Sequence, residues 1–322
     1  MNQAKTPCNK NATPEAVKLL AYLESISGKA VLLGQHTQTR NPKELRYIQD
    51  ITGKQPAVCG FELLAYSGNV RWDSCDEECL TELYEDLGTV ENALDWGRKG
   101  GIVTFSWHWY SPVGGFDKSF YAEKTDFDPD SALVEGSAEN RAVLRDLDLI
   151  AVQLKRFMDE NIPVLWRPLH ESDGTWFWWG RKGPEPAKKL FRYMYHYFTE
   201  VKGLNNLLWV WNSVIPEGYP GDDVVDIISR DTYPEAHKHT SQADDYQELI
   251  KITPTEKLCA LAEVGPMPDV NAIIEEQIPW CWYMTWSNDF GSTEEFTDRK
   301  QLYENYHSPY AVPFDKLPWN VK

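Results

Sequence analysis

Eight short runs of Val, Ile, Leu, Ala and aromatic residues recur along the chain, separated by stretches of helical period. They fall at 30–34, 57–61, 102–107, 163–169, 207–211, 225–229, 257–262 and 280–286. Nearly every residue in them is apolar. That pattern suits strands buried on both faces, as in a parallel sheet, and not strands with one wet face. Amphipathic segments at 42–51, 85–98, 139–160, 184–202, 243–251, 269–276 and 298–306 read as helices. Pro42 and Pro184 stand where a helix start tolerates a missing N–H, and Gly100-Gly101 ends 85–98. Eight strand–helix units in 322 residues predict one α/β domain, a (β/α)8 barrel, over an open doubly wound sheet. No GxGxxG follows the first run, so a dinucleotide fold has no support. The barrel is assigned to 15–322, with 1–14 as an N-terminal tail.

Charge narrows the partners. The chain holds 32 Lys and Arg against 49 Asp and Glu, a net charge of −17. Such a field repels phosphate backbones and anionic membrane surfaces, leaving neutral ligands open. No apolar run reaches membrane length, and 1–15 lacks a signal-peptide core. The six cysteines are too sparse for a disulfide scaffold. Cys75 and Cys79 permit a local disulfide; zinc there lacks a further Cys or His nearby in sequence. Cys59, Cys259 and Cys281 lie in apolar runs and read as buried thiols.

A barrel demands that functional residues gather at the C-terminal ends of its strands. The runs end in Gln35-His36, His108-Trp109, His170-Glu171, Asp231-Thr232-Tyr233, Glu263 and Trp286. Glu171 and Glu263 follow the fourth and seventh runs, on opposite sides of an eight-stranded barrel. Two carboxylates facing each other across its mouth suit glycosidic chemistry, one holding a proton and one staying ionised. A single such Glu could equally serve a salt bridge. The spacing alone does not distinguish retention from inversion.

The chain carries 14 Trp. Four consecutive aromatics, Trp176-Phe177-Trp178-Trp179, cannot share one helical face, and their loop position suggests platforms for sugar rings. Trp209, Trp211, Trp280 and Trp282 lie within strands and read as packing. His36, His108 and His170 could suggest a metal, but their aromatic surroundings favour hydrogen bonds to a neutral polyol. No metal or cofactor is expected.

The run 167–180, Arg-Pro-Leu-His-Glu-Ser-Asp-Gly-Thr-Trp-Phe-Trp-Trp-Gly, resembles the glycoside hydrolase family 26 β-mannanases. Related barrel glycosidases carry Asn before the strand-4 acid; this family carries His. Thr104–Trp109, Asp231–Tyr233, Ala262–Gly265 and the Trp286 region extend the likeness over about 15–310, leaving no room within it for a carbohydrate-binding module. The resemblance implies a (β/α)8 barrel and retaining double displacement on β-1,4-mannosidic bonds. Glu171 would be acid/base and Glu263 nucleophile. His170 would orient the nucleophile or bond the substrate beside it. His108, Trp176, Tyr233 and Trp286 would line the subsite of the reacting sugar, supported by Asp231 and Arg167. Gln35, His36, Tyr66, Arg71, Trp72, Trp109 and Trp179 would serve outer subsites. Ser172-Asp173 departs from the expected pattern. The partner implied is neutral mannan or manno-oligosaccharide, acted on by an extracytoplasmic monomer. A mixed-linkage β-glucanase, a β-1,3-xylanase, a non-catalytic glycan-binding barrel and a metal-dependent hydrolase are the competing expectations.

Overall fold

The computed structural model describes residues 5–38 and 40–320. Its centre is a closed parallel barrel of β1 (Val31–His36), β2 (Val58–Glu62), β3 (Ile102–Ser106), β4 (Val164–Arg167), β5 (Leu207–Asn212), β6 (Ile227–Thr232), β7 (Leu258–Val264) and β8 (Trp280–Thr285). Each strand bonds to the next, and β8 returns to β1. The (β/α)8 barrel is therefore present. All of these strands except β6 are buried at every residue, which accounts for their unbroken apolar runs. A two-residue β9 (Ala311–Val312) pairs with Val31 and Leu32 where β1 has not yet met β2.

Around the barrel run α1 (Pro14–Ile26), α2 (Lys43–Thr52), α3 (Glu77–Asp86), α4 (Thr89–Arg98), α5 (Ala138–Asp159), α6 (Pro184–His196), α7 (Ala243–Leu249), α8 (Val270–Glu275), α9 (Asp289–Ser292) and α10 (Arg299–His307). The helix expected at 85–98 is two helices. Gly88, at φ 100°, takes the left-handed conformation that glycine tolerates and breaks the run. Asp76 starts α3 by accepting the Cys79 N–H. At 184–202 the α-helix ends at His196 and a π turn (Tyr197–Val201) completes the segment.

Helix α1, which precedes the first strand, closes the barrel floor. Its Ala16, Leu19, Leu20 and Leu23 join Leu32, Val58, Leu165, Leu208, Leu258 and Trp282 in one apolar cluster. A second cluster fills the space between barrel wall and helices and takes Trp209, Trp211 and Trp280, as their strand positions predicted. Gly60 is needed inside: a Cβ there would stand 2.4 Å from Met284 Sδ and 2.7 Å from the His36 ring.

Both ends of the described chain meet this floor. Cys8 N donates to Asp226 Oδ1 before β6 and Thr13 N to Asn205 O before β5, while Trp319 Nε1 donates to Gly100 O before β3. Among the described residues, no helix is long and apolar enough to cross a membrane.

Candidate active site

The opposite face carries the polar strand ends. Arg167 closes β4 and is 1% exposed. Its guanidinium donates to Asp231 Oδ2 at 2.7 Å and to Glu263 Oε1. Tyr233 donates its hydroxyl to Glu263 Oε2 at 2.7 Å. Burial and the neighbouring carboxylates hold that phenol well above its ordinary range, so it stays a donor. Both Glu263 oxygens thus accept from fixed donors.

Glu171 follows β4 through Pro168-Leu169-His170. Leu169 and Glu171 both sit at positive φ, 54° and 53°, a conformation that costs a non-glycine residue roughly 1 kcal/mol or more. Asn212, the last residue of β5, holds this turn. Its Oδ1 accepts from Glu171 N at 2.7 Å, and its Nδ2 donates to Asp231 Oδ1 at 2.7 Å and Ser229 Oγ at 3.0 Å. One carboxylate oxygen each from Glu171, Asp231 and Glu263 lie within 4.8 Å of one another. Burial first, then the Glu263 charge, pushes Glu171 up to about 7; the Trp176 indole N–H at 2.6 Å, Arg167 and His108 pull against this. The two carboxylates therefore differ by environment: one keeps a proton near neutrality, the other is locked among donors.

A cavity of about 200 Å³ opens beside them, lined by Glu171, Asp173, Trp176, Arg230 and Tyr233 among others. Trp176 is 49% exposed and Tyr233 45%, so both present faces to a ligand. His108 Nε2 stands 3.3 Å from His170 Nε2, and the Trp286 ring lies 5.9 Å from the His108 ring. Glu171, Glu263, Asp231, Arg167, His108, His170, Trp176, Tyr233 and Trp286 are thus brought to one face.

Four residues expected at outer subsites, Trp109, Trp179, Gln35 and His36, are instead enclosed by the protein. Trp109 and Trp179 are fully buried, as is Trp178. The long segments after β3 and β4 pack on each other and enclose these rings. Trp109 stacks on Trp107 and donates to Asp146 at 2.7 Å, Trp178 donates to Trp109 O, and Trp179 donates to His170 O. Gln35 is buried and donates to the Thr285 and Trp286 carbonyls. His36 is buried with its ring stacked 3.9 Å from Trp286. These five residues brace the site from behind. Tyr66 accepts the Gly88 N–H on its hydroxyl oxygen. Arg71 bonds Gly115 O and Trp72 packs on Tyr84, both on the segment between β2 and α3. Trp109→Phe, which strips a donor from buried Asp146, should lower the unfolding free energy by about 1–3 kcal/mol in a urea titration while ligand affinity holds.

Two residues of this face escaped sequence reasoning. One is Asn212. The other is Glu62, which ends β2, is wholly buried, and accepts from His108 Nδ1 at 2.8 Å and His108 N at 2.7 Å. Both obey the strand-end rule that located the others.

Two groups of described side chains are crowded enough to consider for a cation. In the Glu171, Asp231 and Glu263 group, the Arg167 guanidinium already contacts two of the carboxylates and would repel a metal. In the other, Cys75 and Cys79 meet Asp117. Both cysteines are free thiols, burial raises both, and Cys79 Sγ stands 3.2 Å from Tyr110 Oη.

Comparison with known proteins agrees with this geometry. The profile of glycosyl hydrolase family 26 matches residues 8–316. A mannan endo-1,4-beta-mannosidase from Thermothelomyces thermophilus is 40% identical over 96% of this chain. The chain spans 62% of that protein's length, and 54% and 50% of two Piromyces mannan endo-1,4-beta-mannosidases. Among solved structures, a Podospora anserina GH26-CBM35 beta-(1,4)-mannanase superposes with TM-score 0.88 at 37% identity, covering 99% of this chain and 70% of that one. A beta-mannanase from a symbiotic protist of the termite Reticulitermes speratus, complexed with gluco-manno-oligosaccharide, gives 0.86 at 30% identity and 97% coverage of both chains. With the barrel, the opposed strand-end glutamates and a profile match over nearly the whole length in agreement, the chain belongs to glycosyl hydrolase family 26.

Proposed function

We propose that the chain hydrolyses internal β-1,4-mannosidic bonds of mannan with retention of anomeric configuration. The observation that carries this is the Glu171–Glu263 pair, with carboxylate oxygens within 4.8 Å, Glu171 raised by burial and Glu263 held by the Arg167 and Tyr233 donors. Retaining enzymes hold their carboxyl groups about 5–5.5 Å apart; inverting ones leave roughly 6.5–9.5 Å for a water. Glu263 attacks the anomeric carbon as Glu171 passes its proton to the departing oxygen. A glycosyl ester on Glu263 and a shortened chain result. Glu171, now a carboxylate, takes a proton from water, whose oxygen attacks the anomeric carbon and releases Glu263. The proton on Glu171 is thereby restored and the cycle closes.

Trp176 and Tyr233 offer ring faces at the cavity, and Trp286 lies behind them against His36 and His108. Neutral mannan suits a protein of charge −17, which would repel an acidic polymer. The names of the relatives support the substrate class. A polymer that crosses no membrane suits an extracytoplasmic enzyme.

The test is a substrate panel with product analysis. Mannan should yield a ladder of oligosaccharides from the first minutes, and NMR of a manno-oligosaccharide digest should show the β-anomer forming first. Activity on barley glucan or β-1,3-xylan without mannan hydrolysis would refute the substrate. Full activity after EDTA treatment is expected, and its loss would favour the metal-dependent reading.

The pH dependence follows from Glu171. Its proton is needed for bond cleavage, so kcat/KM should fall as pH rises through about 7. Trp176→Phe removes an N–H that favours the ionised form. The basic limb should therefore move up by roughly half a unit to one unit. A limb that stays in place would show that this hydrogen bond does not tune the acid.

A further inference from the structure

Behind the reacting pair lies a second buried carboxylate that the double displacement does not use. Glu62 receives four donors: Leu63 N at 2.9 Å and His108 N at 2.7 Å on Oε1, Ser106 Oγ and His108 Nδ1 at 2.8 Å each on Oε2. A carboxylate so saturated is anionic. Burial alone would raise it, but the His108 charge and hydrogen bonds bring it down to about 2.

The hydrogen bonds also decide where the ring protons sit. Ser106 spends its one proton on Glu62, so at its 3.2 Å contact with His36 it accepts. His36 therefore carries its proton on Nε2, and burial brings it down to about 3, hence neutral. His108 gives Nδ1–H to Glu62. Its other nitrogen lies 3.3 Å from His170 Nε2, and one of the two must donate. Burial and the nearby charges of His108 and Arg167 hold His170 well below its ordinary range. The groups facing His108 are His36 from β1, Glu62 from β2, Arg167 at the end of β4, His170 and Glu171 just beyond it, and Glu263 from β7. Burial lowers His108, but the charges of Glu62, Glu263 and Glu171 outweigh it and raise the imidazole.

We propose that Glu62 is a positioning residue that holds His108 as an imidazolium, with Nδ1–H on Glu62 and Nε2–H on His170, so that a fixed positive charge stands beside Glu171 and Glu263. Its catalytic consequence rests on the glycosidase reading of that pair; the protonation state of His108 does not. Four hydrogen bonds on Glu62 fix the ring's position as well as its charge. Without them the buried imidazole would be neutral at pH 7, and Glu171 would lose a cation that favours its ionised form.

Histidine-selective 15N NMR of the full chain, without ligand, reads the charge directly. Both His108 ring nitrogens should carry protons at pH 7, the resonances being assigned by their loss in His108→Gln. In Glu62→Gln one nitrogen should become unprotonated at pH 7. With mannan, Glu62→Gln should lose on the order of 10²-fold in kcat, more than in KM. Its basic limb should rise by roughly half a unit to one unit. Glu62→Asp, which keeps the charge, should restore the doubly protonated ring and the parent limb even where kcat stays low. A neutral His108 in the parent overturns the proposal, as does a folded Glu62→Gln variant whose limb is unmoved. If Glu62→Gln does not fold, the parent spectrum and Glu62→Asp decide. A parent protein that leaves mannan intact would refute the glycosidase reading, while the spectrum would still decide the state of His108.

Discussion

Glu263→Ala is expected to lose mannan hydrolysis by on the order of 10⁵-fold with folding intact, because no covalent intermediate can form. Its thermal midpoint should fall, since Arg167 and Tyr233 lose a buried acceptor, but Arg167 keeps Asp231 and the barrel should stay folded. Glu171→Ala should differ in kind. On mannan it should lose about 10²–10⁴-fold, the usual worth of general acid–base catalysis. On an aryl mannoside with a good leaving group the first step needs little protonation, so glycosyl-enzyme should accumulate and be visible by mass spectrometry on Glu263. Azide should then speed turnover and give a β-glycosyl azide, since a small anion needs no base to attack. Full activity in either variant would remove that residue from the mechanism. An α-azide from Glu171→Ala would contradict retention.

Arg167→Met is the second large effect, and it falls on both stability and rate. Arg167 is 1% exposed and bonded to two carboxylates. Removing one member of such a buried set strands the others, at a cost of about 3–5 kcal/mol. The cost appears as a lower midpoint in guanidinium unfolding. Activity of the fraction that remains folded should fall on the order of 10³-fold, because the attacking carboxylate loses the donor that orients it. Arg167→Lys keeps the charge but cannot reach Asp231 and Glu263 with a rigid fork. It should recover more stability than rate. Equal recovery of both would mean that charge alone is what Arg167 supplies.

The sequence showed where the barrel strands lie because a strand buried on both faces has nowhere to put a polar residue. The same property hid part of the site. Apolar runs were read as ending at 61 and at 211, but β2 ends at Glu62 and β5 at Asn212. In each case the functional residue is the polar one that stops the run, so hydropathy trims it away. Glu171 and Glu263 were legible because each carries a chemistry that a glycosidic site requires and lies just beyond or near the end of its run. The aromatic loop misled for a different reason. A surface loop was expected to expose its indoles, yet 107–137 and 168–183 are long enough to extend the main apolar cluster with Trp109, Phe120, Phe127, Phe177, Trp178 and Trp179. Of the four consecutive aromatics, Trp176 alone faces outward.

The floor of the barrel sets how the molecule can be tethered. The segment before α1 and the residues after β9 are both anchored there, beside the starts of β6, β5 and β3, on the side away from Glu171 and Glu263. A linker, a fused module or a bead attached at either end would leave from the rear of the molecule with the cleft pointing outward. An immobilised form coupled through its termini should therefore keep access to a long, stiff polymer, whereas coupling through a lysine on the segment after β4, such as Lys182, would turn some molecules face down.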